Sequence, residues 1–275
     1  MFVIEVPHFN LDHIYNSGQA PRWIQLKQSA EKSKYVVMHK DKVLKIEQQR
    51  DRFDLNKYRL IMSCTEEDFY NTWFDYFDLR TDYMDLNCKA KKLGGKFKVP
   101  ANRGSGIHIL NQDPFEIYVF TKMIANVGYM RAFIAMNHIA EVCGVKHIQS
   151  MREAGRITWY EFPTPEMILE NFDNLQKMGK INDWLKRLCK AIIDDDFAFS
   201  HNGNELYELF AGHKHNMSVF PTIGIEETIT KNFGCPAEEF ADWYLCDFEN
   251  KGLVYMYILH HIMNPPEEVQ MHGVS

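Results

Sequence analysis

Asn111-Gln112-Asp113-Pro114-Phe115-Glu116 marks the point at which the chain changes its period. Asp113 is a residue that caps helix N-termini through its side-chain oxygen, and Pro114 suits the first helical position, where the N–H it lacks is not needed. The apolar residues that follow, Phe115, Ile117, Tyr118, Phe120 and Ile124, recur at helical spacing and predict a helix to about Ala125. A second helix is expected from Arg131 to about Cys143, closed by Gly144. Further helices are expected around 165–177, 180–194, 203–212, 225–233, 236–246 and 252–262.

Upstream the pattern is short and β-like. Tyr35-Val36-Val37-Met38-His39 and Lys42-Val43-Leu44-Lys45-Ile46 flank Lys40-Asp41 and predict a hairpin. Thr65 and Asp68 form a capping box ahead of a helical turn or two. Residues 89–106, rich in Gly and Lys, read as the connection between layers. The fold class is therefore α+β, with an N-terminal antiparallel β-sheet domain over residues 1–105 packed on a larger all-helical domain over 106–275.

The 275 residues, 45% of them hydrophobic, suffice for one large core or two modest ones. Cys64, Cys88, Cys143, Cys189, Cys235 and Cys246 are scattered, with no CxxC pair, which argues against a zinc site or a disulfide framework. Met1-Phe2-Val3-Ile4-Glu5 carries a carboxylate and no basic leader, and no apolar stretch is long enough to span a bilayer, so a soluble cytoplasmic protein with no membrane partner is expected. The net charge of −6 is unlike that of a non-specific DNA binder, although phosphate binding needs only a local field. Lys89, Lys91, Lys92, Lys96, Lys98 and Arg103 are the concentrated basic segment, readable as such a field or as a solvated loop. His213-Lys214-His215 and His260-His261 lack the spacing of a zinc helix, and Asp194-Asp195-Asp196 reads as a charged helix end.

Four separated stretches, in order, resemble the 8-oxoguanine DNA glycosylase branch of the helix–hairpin–helix superfamily. Asn16-Ser17-Gly18-Gln19-Ala20-Pro21-Arg22-Trp23 is similar to that family's Ser-Gly-Gln-Ser-Phe-Arg-Trp, whose glycine lines the base pocket. Tyr76-Phe77-Asp78-Leu79 is similar to its Tyr-Phe-x-Leu, Asn111 to Glu116 to its Arg-Gln-Asp-Pro-Ile-Glu, and Phe162-Pro163-Thr164-Pro165-Glu166 to its Phe-Pro-Ser. From Gln112 the register runs without gaps to Arg131, which falls on an arginine that contacts the base opposite the flipped one. The family's Asn-Asn falls on Val127-Gly128, with Asn126 one position earlier, a departure that bears on recognition of the opposite base. Phe220-Pro221-Thr222-Ile223-Gly224-Ile225-Glu226 resembles the family's hairpin, with Thr222 in place of its first glycine, Glu226 in place of its nucleophilic lysine, and residues 212–219 as extra chain before it.

The resemblance implies double-stranded DNA as partner and a base extruded into a pocket. It implies base-pocket roles for Gly18, Gln19, Lys122, Asn126 and Arg131, and phosphate contacts by Thr222, Gly224, His213 and His215. Glutamate cannot replace an amine nucleophile, so lysine-dependent excision is not expected. One function is that of a monofunctional glycosylase in which Asp247 activates water. However, residues 249–262 also resemble the family's last helix, which would put Asp247 outside the site, and the register stays open. A second is that of the glycosylase-like amino acid:DNA transferases of phage DNA hypermodification, which replace the pyrophosphoryl group on activated 5-hydroxymethyluracil with an amino acid. Glu226 or Asp247 would then deprotonate the incoming ammonium, and Lys122, Arg131, His213 or His215 would meet the leaving pyrophosphate. A third is a non-catalytic DNA-binding relative. The transferase is the leading expectation, with a free amino acid or amine as second substrate, no cofactor, no metal, and a monomeric state.

Overall fold

In a computed structural model of the chain, the described residues are 1–29, 32–50, 57–151, 155–175, 180–194 and 250–265, with a few positions between 230 and 248. Five strands form one antiparallel sheet: β1 (Phe2–Pro7), β2 (Trp23–Lys27), β3 (Lys32–His39), β4 (Lys42–Arg50) and β5 (Lys57–Met62), in the order β1-β5-β4-β3-β2. The expected hairpin is its centre, with Tyr35 opposite Ile46 and Val37 opposite Leu44. Lys40 takes φ +53° at its tip. Side chains alternate across the sheet. Tyr35, Val37, Leu44, Ile46, Leu60 and Met62 face one core, while Val36 faces the opposite side with Met38 and Val43.

The first face is covered by α1 (Leu11–Asn16) and by a helical run, α2, whose segments are Glu66–Asp68, a π turn Phe69–Trp73, and Phe74–Tyr76. Thr65 caps α2 as its spacing predicts, accepting from the Asp68 amide at 3.0 Å. The second face meets a hairpin of β6 (Lys146–Met151) and β7 (Gly155–Tyr160), through Met151, Ile157 and Trp159. This hairpin lies between two helices and is a feature that the helical reading of the second half does not contain; its strands are only six residues long each, and β7 opens on Gly155 at φ +71°.

Residues 89–106 differ from the expectation of a connecting loop. They belong to α3 (Tyr83–Lys92) and α4 (Gly95–Arg103), and Gly94 at φ +133° makes only the corner between them. Leu86, Ala90, Phe97 and Ala101 recur at helical spacing and bury against the C-terminal helix α9 (Lys251–Met263). Asn87 Nδ2 donates to the Ala101 carbonyl at 2.7 Å and ties the pair together. The lysine run is the solvent face of these helices, which is why charge alone hid them.

The central pair, α5 (Pro114–Val127) and α6 (Tyr129–Cys143), matches the two expected helices and forms a core of its own with α7 (Pro165–Glu170) and α8 (Lys180–Ile193). Asp113 caps α5 by accepting from the Glu116 amide at 3.0 Å. Gly144 does not close α6 in the left-handed manner expected: its backbone is extended, φ −87° and ψ 168°. Glycine is needed there because a Cβ would lie 2.0 Å from the Glu161 carbonyl oxygen and 2.6 Å from that of Ala140. The helix expected over 165–177 ends sooner, at Glu170, and passes into a 3-10 turn Phe172–Asn174. The helices expected over 203–212, 225–233 and 236–246 lie wholly or mostly outside the described residues. No helix among the described residues is long and apolar enough to cross a membrane.

Candidate active site

Three of the stretches that carry the sequence motifs, around Trp23, Tyr76 and Gln112, meet in one joint. Trp23 Nε1 donates to the Tyr76 hydroxyl at 2.8 Å. Asn111 reaches α2 twice, from its amide to the Tyr76 carbonyl and from Nδ2 to the Asp75 carbonyl. Arg22 Nε lies 3.5 Å from Glu116 Oε1, and its other end donates to the Tyr160 carbonyl. Burial raises the Glu116 carboxyl to about 7, opposed by the Arg22 guanidinium. Sheet, α2, α5 and β7 are thus clamped at one place, and the segment after α1 is led through it.

That segment carries Gly18 and Gln19. The Gln19 side chain is spent internally: Nε2 donates to Ser17 Oγ at 3.0 Å and to the His108 carbonyl at 2.9 Å, and Oε1 accepts from the Leu110 amide at 2.9 Å. Gln112 Nε2 donates in turn to the Gln19 carbonyl at 2.7 Å. The side-chain polar atoms and the carbonyl of Gln19 are thus engaged within the protein, beside the backbone of Gly18. Its φ of +82° is one that glycine adopts without steric cost.

A Cβ at Gly18 would stand 3.5 Å from the Tyr129 ring and 3.7 Å from the Met263 methyl and sulfur, so three elements converge there. Tyr129 opens α6 and packs edge-on to Phe120, with ring centroids 5.8 Å apart. Burial pushes its phenol up to about 12, which keeps it a hydrogen-bond donor at neutral pH. Met263 ends α9, the helix that follows the C-terminal register. Neither residue is readable from its neighbours in sequence: a tyrosine after a glycine and a methionine at a helix end carry no signal until the fold brings them to Gly18.

The other expected pocket residues gather at the junction of α5 and α6. Gly128, φ +86°, breaks the two helices apart. Arg131 lies in the first turn of α6 and is exposed, and because it is two positions from Tyr129 it projects from a different side of the helix. Asn126 is exposed and turns its Nδ2 back onto the Lys122 carbonyl at 2.7 Å. Lys122 Nζ lies 5.6 Å from the centre of the Tyr118 ring, and burial lowers its pKa. Met130 and Ile134, 66% and 63% exposed, flank Arg131 on the outer surface. The structure therefore separates the expected set into a buried contact at Gly18 and a more exposed stretch over residues 122–134. Glu226, Asp247, Thr222, Gly224, His213 and His215 lie outside the described residues. No cluster of three His, Cys, Asp or Glu side chains able to hold a metal occurs among the described residues.

A five-stranded antiparallel sheet packed on a helical layer is a fold that the chain shares with solved DNA glycosylases. Residues 1–118 match the family model of the 8-oxoguanine DNA glycosylase N-terminal domain. The Clostridium acetobutylicum 8-oxoguanine glycosylase/lyase in its apo-form is 23% identical, over 94% of this chain and 96% of that one, with a TM-score of 0.70. The same enzyme in complex with dsDNA containing cytosine opposite 8-oxoG is similar at 22% identity, covering 95% and 97% of the two chains, also with a TM-score of 0.70. A 3-methyladenine DNA-glycosylase from Archaeoglobus fulgidus is 13% identical over 97% and 100%, with a TM-score of 0.58. A search of curated protein sequences finds no match.

Proposed function

We propose that the chain binds duplex DNA, extrudes a modified base towards Gly18, Tyr129 and Met263, and transfers an amino acid onto activated 5-hydroxymethyluracil. The observation that carries this reading is Glu226, which stands where the resembling hairpin carries its nucleophilic lysine. A transferase must leave the glycosidic bond intact, so an amine at the sugar carbon is a liability to it. In the reaction the amino group attacks the exocyclic methylene carbon, the C–N bond forms as the C–O bond to the pyrophosphoryl group breaks, and pyrophosphate leaves. The proton given up by the ammonium passes to a carboxylate, Glu226 or Asp247. Lys122 and Arg131, with His213 and His215, supply positive charge for the leaving group.

The N-terminal domain match favours a second reading, a glycosylase without lyase chemistry in which Asp247 activates water. One experiment separates the two. Duplex DNA carrying pyrophosphorylated 5-hydroxymethyluracil is incubated with single amino acids, digested, and its nucleosides weighed. Transfer adds the mass of the amino acid less water, relative to 5-hydroxymethyluracil, and releases pyrophosphate from an intact strand. Abasic sites without any mass gain would replace transfer by excision, and neither product would leave a non-catalytic DNA binder. In both enzymatic cases borohydride should trap no covalent adduct on abasic duplexes, because no lysine holds the position of Glu226.

A further inference from the structure

The charge of the chain is unevenly placed. Between Asp85 and Asp113 the sequence holds five lysines, one arginine and no carboxylate, so the remainder of the chain carries a net charge of −12 against the −6 of the whole. Most of such a surface repels a polyanion, which can settle only where the local potential turns positive. The lysines gather at the corner between α3 and α4. Lys91 and Lys92 end α3, Lys96 and Lys98 stand within four residues of the start of α4, and Gly94 at φ +133° turns the chain between them.

The fold accounts for only part of this cluster. Lys89 Nζ is held 2.8 Å from Asp85 Oδ2, one turn away on α3. Arg103 is drawn inwards, where it donates to the Asn264 carbonyl and lies 2.8 Å from His261 Nδ1. Lys91 and Lys92 suit the C-terminal end of α3, whose dipole favours cations. Lys96 and Lys98 have the opposite placement. The first turn of α4 holds no acidic residue, and the dipole there disfavours the cations it does hold. Lys96 Nζ stands 5.6 Å from the centre of the Phe233 ring, a contact that does not cancel its charge. Lys91, Lys92, Lys96 and Lys98 are paired with no carboxylate among the described residues. Lys92, Lys96 and Lys98 are exposed, and a Cβ added at Gly94 or Gly95 would meet nothing within 4 Å. The corner is therefore open and positive, with two of its cations set against the field of their own helix.

We infer that the α3–α4 corner is a contact surface for the sugar-phosphate backbone of duplex DNA, with Lys92, Lys96 and Lys98 each meeting a phosphate. Lysines are flexible point charges, and a group of them along one corner matches a row of separate phosphates better than a single small anion. The inference rests on the duplex-binding part of the proposed function and not on the transfer chemistry.

The test compares the parent chain with the triple variant Lys92→Ala, Lys96→Ala, Lys98→Ala and with the same three positions changed to arginine. Affinity for one duplex is followed by fluorescence anisotropy over a series of salt concentrations. Each phosphate contact contributes about 0.9 to the slope of log K against log salt. The alanine protein should show a slope shallower by about 2 to 3, and the arginine protein the slope of the parent. Bound duplex should also shield the three amines of the parent from acetylation, a readout that holds even if the alanine protein fails to fold. If the parent binds duplex while the alanine protein keeps its slope, or the amines acetylate equally with and without duplex, the corner is a solvated face and the inference is wrong, while duplex binding stands. A parent that binds no duplex removes the inference and the duplex-binding reading together. A shallower slope with shielded amines, in a protein that never adds mass to DNA, keeps the corner and removes only the transferase reading.

Discussion

Gly18 combines a conformational constraint with the base-pocket role proposed for it. Its backbone lies at φ +82°, where an L side chain costs about 1–2 kcal/mol, yet a Cβ would meet Tyr129 and Met263 at ordinary contact distance. Gly18→Ala should therefore fold, with stability lowered by about that amount in urea denaturation. The methyl would also stand between Tyr129 and Met263, at the proposed base pocket, so turnover of the extruded base should fall by far more than affinity for unmodified duplex. Equal losses in both would make Gly18 a structural turn only. Gln19 beside it is the opposite case, because all its hydrogen bonds run into the protein.

Among the elements, the junctions of α6 carry the strongest constraints. At its C-terminal end a Cβ on Gly144 would strike two backbone oxygens, which no side-chain rotation can relieve. Gly144→Ala must push β7 away from α6, and a loss of about 1–3 kcal/mol is expected in chemical denaturation. Unchanged stability would mean that the turn adapts freely. At its N-terminal end Arg131 is exposed beside Met130 and Ile134. Arg131→Ala should weaken duplex binding by about tenfold, the loss of one charge-assisted contact. The same change at Arg156, an exposed arginine on β7, should have little effect, and similar small effects at both sites would remove Arg131 from the interface.

Over the whole molecule, two kinds of buried titratable group oppose each other in pH. Burial depresses His39 to about 4 and His260 to about 3, the latter helped by His13, Arg103 and His261. Unfolded imidazoles titrate near 6.5, so the stability these residues contribute is complete above that pH and is lost as pH falls through about 4 to 3. Glu116 works the other way. Its folded value is raised from 4.5 to about 7, so its contribution is complete below 4.5 and is lost as pH rises to about 7. Denaturation midpoints should show Glu116→Gln gaining stability at pH 8 relative to pH 5 when compared with the parent chain. His39→Gln should flatten the fall on the acid side. Parallel pH profiles in all three proteins would contradict both assignments.

Local sequence was enough to determine the central helices, the hairpin around Lys40-Asp41 and the α+β class, because caps, turn residues and periodicity act within a few residues. The motifs that pointed to the fold were legible for a related reason: Arg22, Trp23, Tyr76, Gln112 and Glu116 form the joint between layers, so the architecture depends on their chemistry. The helices over residues 83–103 were hidden because half of each faces water as lysine, and only packing against α9 separates them from a loop. Of the three residues that converge at Gly18, only Gly18 itself was legible. Tyr129 and Met263 reach it from 111 and 245 residues away along the chain. No local rule encodes such meetings, because they exist only when three separate cores have packed and brought distant helix ends to the same wall.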